Sequence, residues 1–207
     1  MGWLADETGL GKCDANHVPL TPLSHLNRAA DIFPQRQALV DRGRSFTYAQ
    51  MHERVTRLAS ALAGRGIRPG DVVATLLPNI TAQIEAHFGV PACGAVLNAI
   101  NTRLETETVN YILSHGGAKI LLVDNALLPL AEAAISRMAE ADAPEIIEVA
   151  DHEAGFMPDG RHMEYEDLLA GGDPGFRWIM PEDEWESIAL NYTSGTTGQP
   201  KGVVYHH

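Results

Sequence analysis

From residue 47 to residue 149, short apolar runs alternate with stretches of helical periodicity. That alternation restricts the chain to an α/β architecture, with mostly parallel sheets flanked by helices. Thr47 and Gln50 have the spacing of a capping box, Met51, Val55, Leu58 and Leu62 recur at helical intervals, and Gly64 and Gly66 can end that helix. Arg68-Pro-Gly-Asp71 turns the chain into the β-branched run Val72–Leu77, and a helix from Thr81 must stop near Pro91. The next unit is strand Ala95–Ile100, a second capping box at Thr102 and Glu105, and a helix through Ile112 that closes at Gly116-Gly117. Strand Lys119–Val123, a helix carrying Leu127, Ala131, Ala134, Ile135 and Met138, and strand Glu145–Val149 complete the pattern.

Beyond Val149 the composition changes. The chain has 207 residues and a net charge of −12, yet residues 140 to 186 hold 15 Asp or Glu against only Arg161 and Arg177. The acidity therefore belongs to one segment, which reads as a solvated, irregular surface excursion from about 151 to 186, with Glu164–Leu169 as a candidate short helix. Such a face repels phosphate backbones, and no basic stripe with aromatics appears elsewhere, so nucleic-acid binding is disfavoured. The adjacent acids Glu182, Asp183 and Glu184 point in different directions on an irregular segment and do not make a cation site.

The two cysteines, Cys13 and Cys93, are far apart and lack metal-site spacing. Cys93 reads as a buried packing residue and a reducing compartment as the default, with a cytoplasmic location expected. The first residues do not have the pattern of a secretory leader, and the charge-free stretch 88 to 100 is too short to span a bilayer. His206 and His207, at a strand end, and His87, on an apolar helix, read as structural residues. No residue is assigned a catalytic or metal-binding role.

The chemistry is concentrated in Tyr192-Thr-Ser-Gly-Thr-Thr-Gly-Gln-Pro-Lys-Gly-Val203. Gly195, Gly198 and Gly202 let backbone N–H groups approach an anion closely, the hydroxyls of Thr193, Ser194, Thr196 and Thr197 add donors, and Lys201 adds an ammonium. This is a phosphate cradle. It is not a Walker A loop, because Lys201 lies three residues past Gly198, follows Pro200 and precedes Gly202 rather than a hydroxyl residue. It is not a dinucleotide fingerprint either, since the opening Gly-x-Gly is missing. A strand Ser187–Tyr192 should deliver the loop, and Gly202–Tyr205 should begin that strand's partner.

Tyr192 to Val203 resembles the phosphate-binding signature of the adenylate-forming superfamily, which includes acyl-CoA synthetases, peptide-synthetase adenylation domains and luciferases. Phe46-Thr-Tyr48 and Gly94-Ala-Val-Leu-Asn-Ala-Ile-Asn-Thr-Arg-Leu104 look like the family's N-terminal landmarks, in the right order. Leu97–Leu104, Leu190–Ser194 and Val203–His207 look most like the AMP-forming acyl-CoA synthetases that activate fatty, medium-chain, aromatic or methylthio acids.

The resemblance implies ATP-dependent conversion of an acid to acyl-AMP and then to a CoA thioester, with ATP, Mg²⁺ and CoA as the small-molecule partners. It also implies that Thr193, Ser194, Gly195, Thr196, Thr197, Gly198 and Lys201 contact the phosphates. The family's adenine and ribose elements and its C-terminal catalytic lysine follow the loop. Residues 1–207 are accordingly expected to be an incomplete N-terminal domain, inactive alone, with apolar edges that favour self-association. The competing readings are amino-acid adenylation for a carrier protein and a non-catalytic nucleotide-binding or interaction module.

Overall fold

The computed structural model describes residues 11–13, 15–150, 158, 160–193 and 199–207. Helix α1 (Leu23–Ile32) is followed by an antiparallel hairpin, β1 (Gln37–Asp41) and β2 (Arg44–Thr47), and then by α2 (Tyr48–Gly64). The capping box that opens α2 is present: Gln50 N donates to Thr47 Oγ1 at 3.3 Å and Thr47 N donates to Gln50 Oε1 at 2.9 Å. Met51, Val55, Leu58 and Leu62 are all buried, as their spacing predicts.

The chain then builds β3 (Val72–Leu76), α3 (Thr81–Ala92), β4 (Val96–Ala99), α4 (Thr106–Gly116), β5 (Ala118–Asp124), α5 (Leu128–Ile135) and β6 (Glu145–Val149). It continues through β7 (Met163–Glu164), α6 (Tyr165–Ala170), β8 (Ser187–Thr193) and β9 (Lys201–His206). Seven strands form one sheet in the order β7-β6-β5-β3-β4-β8-β9, parallel throughout except for the antiparallel pair β8 and β9. Side chains alternate across it. Ile120 and Leu122 of β5 face the core shared with α2, α3 and α6, whereas Leu121 and Val123 face the core shared with α4 and α5. The connection after β3 therefore crosses one face of the sheet and the connection after β4 crosses the other.

Three sequence expectations need correction. Helix α4 begins at Thr106 with Glu105 as an uncapped N-cap, and no Thr102 box forms. Asn101 takes the local role instead, its Oδ1 accepting from Arg103 N at 2.9 Å, which keeps residues 101–104 in a turn. The acidic stretch is not simply a solvated excursion, because Tyr165, Leu168 and Leu169 of α6 are buried. Residues 151–157 and 159 of that stretch lie outside the described residues. His87 is exposed rather than packed, and its Nδ1 lies 2.7 Å from Gln83 O, one helical turn back.

Cys93 is 0% exposed, and burial raises its thiol pKa to about 11, as suits a packing residue rather than a nucleophile. Gly117 closes α4 at φ 63°, in the left-handed region that a C-cap glycine supplies. No helix among the described residues is long and apolar enough to cross a membrane.

Candidate functional site

Strands β4 and β8 run parallel and pair through Leu97↔Ala189. At their carboxyl ends a cleft of about 470 Å³ opens on the α4 side of the sheet. Asn98, Ile100, Leu104 and Ile112 line one wall, and Tyr192, Thr193 and Pro200 line the other. The carboxyl ends of parallel strands are where α/β sheets bind ligands.

The phosphate-loop residues meet the cleft at its rim. Thr193 is the last residue of β8 and Lys201 the first of β9, and the two are direct cross-strand partners. Both are exposed. The antiparallel register thus sets opposite each other the two residues that begin and end the loop, eight positions apart in sequence. Ser194, Gly195, Thr196, Thr197 and Gly198 lie outside the described residues. Gly202 of β9 packs closely under this end of the sheet, where a Cβ would come within 3.1 Å of Leu190 Cδ1 and 3.5 Å of the Tyr192 ring.

Tyr192 anchors the strand just before the loop. Its hydroxyl is 2.7 Å from His115 Nδ1, Tyr111 stacks on His115 with centroids 5.2 Å apart, and Tyr111 meets Tyr192 edge to face at 6.3 Å. Burial, together with the neighbouring Tyr111, raises the Tyr192 phenol above its ordinary pKa, so it remains a neutral hydrogen-bonding group. The strand-end histidines are structural. His206 packs its ring on Trp185 with centroids 4.6 Å apart, and His207 Nδ1 lies 2.8 Å from Thr21 Oγ1.

Sequence reasoning missed a second polar centre, on the opposite face of the sheet. Glu85 of α3 is 1% exposed and pairs with Arg54 of α2, which also makes hydrogen bonds of 2.7 and 2.8 Å to Glu166 of α6. Tyr165 donates its hydroxyl to Glu85 Oε2 at 2.8 Å. Burial pushes the Glu85 carboxyl up from its ordinary pKa, against the pull of Arg54. Burial opposes the charge on Arg54, but its hydrogen bonds to Glu166 and Glu85 outweigh that and raise its pKa. These groups satisfy one another and tie three helices together. The signal for the cluster was a lone Glu inside an otherwise apolar helix.

Among the described residues no group of three or more His, Cys, Asp or Glu is placed to hold a metal ion.

The sheet, parallel apart from its last strand and covered by helices on both faces, defines an α/β protein whose Thr/Gly/Lys segment joins β8 to β9 at the carboxyl end of β8. A family model described as AMP-binding enzyme matches residues 26–207, and the chain belongs to that family. It is 47% identical over 212 residues to a peroxisomal acetate/butyrate–CoA ligase of Arabidopsis thaliana, covering 98% of this chain and 37% of that protein. It is 42% identical over 211 residues to a peroxisomal trans-cinnamate:CoA ligase of Petunia hybrida, covering 96% and 37%. The chain thus spans little more than a third of the length of these relatives. Among solved structures, an anthranilate CoA ligase in complex with anthranoyl-AMP superimposes with a TM-score of 0.82 at 26% identity, over 95% of this chain and 36% of that one. The N-terminal domain of FACL13 from Mycobacterium tuberculosis does so with a TM-score of 0.74 at 30% identity, over 89% and 44%.

Proposed function

We propose that this chain supplies the phosphate-binding part of an AMP-forming acyl-CoA synthetase. The carboxylate of an acid attacks the α-phosphorus of ATP, forming acyl-AMP and expelling pyrophosphate. The thiol of CoA then attacks the acyl carbon, the thioester forms, AMP leaves with its bonding electron pair, and the thiol proton passes to solvent. The observation that carries this reading is the pairing of Thr193 with Lys201 across β8 and β9, within a chain that belongs to the AMP-binding family.

Charge accumulates on the departing pyrophosphate. Donors fixed beforehand at that position stabilise the transition state more than the ground state. Thr193, Ser194, Gly195, Thr196, Thr197 and Gly198 are assigned to the phosphate oxygens, and Lys201 to the β and γ charges. Magnesium enters bound to the nucleotide and neutralises part of the same charge.

The substrate is a carboxylic acid of the fatty, medium-chain, aromatic or methylthio class. Relatives named for acetate, butyrate, 2-methylpropanoate and cinnamate support a CoA-ligated carboxylic acid rather than an amino acid adenylated for a carrier protein. Residues 1–207 form an incomplete N-terminal domain that does not adenylate an acid alone, a reading supported by the 37% coverage of the relatives. Strand β9 exposes Val203, Val204 and Tyr205, which supports self-association of the isolated polypeptide. A cytoplasmic location is retained from the composition, although several relatives are named as peroxisomal. Carboxylate-dependent ATP–pyrophosphate exchange by the full-length protein, and its absence from residues 1–207, tests the proposal. Exchange by the isolated chain would refute the assignment of an incomplete site.

A further inference from the structure

The hairpin of β8 and β9 carries Thr193 and Lys201 at its tip, and its side chains are all half-buried or exposed. Its pairing with the parallel part of the sheet passes through Leu97↔Ala189. Side chains hold the hairpin on either side of that point. Toward the tip the Tyr192 hydroxyl meets His115, and at the base, where Ser187 faces His206, the segment before α1 crosses the hairpin. There Leu20 N donates to Glu184 Oε2 at 3.0 Å, and Thr21 Oγ1 lies 2.8 Å from His207 Nδ1, a contact spanning 186 positions. His207 N donates in turn to Glu186 O at 3.1 Å, which closes the base.

Thr21 is held for this contact by the start of α1. It is 5% exposed, its carbonyl accepts from Ser24 Oγ at 2.7 Å, and its Oγ1 accepts from Leu23 N at 3.2 Å, which leaves the hydroxyl proton to donate to the imidazole.

We infer that Thr21 and His207 are positioning residues for the nucleotide phosphates: the segment 15–22 straps the base of the β8–β9 hairpin, and the Thr21–His207 contact sets the tilt at which the tip is presented. This rests on the proposed acid-activating role and deepens it. The hairpin acts as a lever about Ala189, with the strap on one side and the tip on the other. Thr193 lies four residues beyond Ala189, about 13 Å of strand. A tilt of about 5° therefore moves the tip by about 1 Å, and a misplacement of that size costs up to about 10²-fold in rate. Neither residue touches a substrate, and both act through where Thr193 and Lys201 sit.

The test uses the full-length enzyme with Thr21→Val, which keeps the shape and removes the hydroxyl, with Thr21→Ser, which keeps the hydroxyl, and with His207→Leu. All are assayed by acid-dependent ATP–pyrophosphate exchange. The kcat/KM for ATP should fall about tenfold in Thr21→Val and in His207→Leu, and no further in the double variant, because both changes break one contact. Thr21→Ser should match the wild type. The KM for the acid, measured at saturating ATP, should be unchanged in every variant. An unchanged kcat/KM for ATP in folded His207→Leu overturns the strap, as does an additive loss in the double variant or a loss in Thr21→Ser equal to that in Thr21→Val. A KM for the acid that rises together with that for ATP also overturns it, by marking a general loosening of the fold. Should Thr21→Val fail to fold, His207→Leu and Thr21→Ser decide the matter alone. Wild-type enzyme with no exchange at all would refute the acid-activating role itself, which keeps the two failures apart.

Discussion

The Tyr192 hydroxyl lies 2.7 Å from His115 Nδ1, and this contact ties the strand that delivers the phosphate loop to the last turn of α4. Thr193 follows Tyr192 directly, so this contact fixes the strand one residue before the segment assigned to the phosphates. Tyr192→Phe keeps the ring packing and removes the hydrogen bond. Stability should fall by about 1 kcal/mol, and the KM for ATP in pyrophosphate exchange should rise a few-fold. His115→Ala added to Tyr192→Phe should cost less than the sum of the single changes, because both break one contact. Fully additive denaturation midpoints would show that the contact carries no energy.

The Arg54–Glu85 pair has one nearly fully buried member, and Tyr165 completes its hydrogen bonding. Glu85→Ala leaves Arg54 with only Glu166, which is 47% exposed, and should destabilise the protein by about 3–5 kcal/mol. Glu166→Gln, at the wet end of the same network, should cost less than about 1 kcal/mol. Equal losses from the two variants, measured by denaturant unfolding, would contradict the burial gradient.

Gly172 sits against the backbone of α2, where Arg57 Nη1 donates to its carbonyl at 3.0 Å. A Cβ at this position would lie 2.1 Å from Arg57 O and 2.7 Å from Arg57 C, backbone atoms that cannot rotate away. Gly172→Ala should therefore destabilise by about 2–3 kcal/mol as the segment after α6 lifts from α2. A thermal midpoint equal to that of the wild type would show that this packing is not present in solution.

His52 is stacked on Trp178 with ring centroids 4.8 Å apart, and its Nε2 lies 2.9 Å from Asn27 Oδ1. Burial lowers its pKa below the ordinary 6.5, with Asp31 opposing in part. The unfolded chain therefore takes up this proton first as pH falls. The contribution is fully present above about pH 6.5 and is lost as pH drops from there through the folded-state value. His52→Gln should flatten the stability profile as pH falls below about 6.5, whereas the lowered carboxyls of Asp41 and Asp71 act only below their ordinary value of 3.8. Identical slopes in that window would exclude a role for His52.

What the sequence disclosed tracks how local each interaction is. The Thr47–Gln50 box and the buried stripe of α2 depend on spacings of three or four residues, and both are present. The Thr102–Glu105 box had equally good spacing but does not form, because the Asn101 side chain holds residues 101–103 in a turn by accepting from Arg103 N and the helix starts later, at Thr106. Glu85 was unreadable because its partners lie 31 and 80 positions away. Asn98 was opaque for a different reason: in a string of letters it is one polar residue in a strand, and only burial reveals that its amide lacks a partner. The phosphate loop was legible because its chemistry is contiguous, from Thr193 to Lys201.

The most direct measurement of the central claim is acid-dependent ATP–pyrophosphate exchange by the full-length enzyme carrying Lys201→Ala, run against a panel of acetate, butyrate, 2-methylpropanoate and cinnamate. Lys201 is exposed at the start of β9, so the variant should fold and melt like the wild type. Exchange should fall by about 10²-fold or more with every acid that the wild type accepts, as expected when a preorganised charge on the leaving pyrophosphate is removed. Exchange at the wild-type rate would contradict the assignment of this hairpin as the pyrophosphate grip.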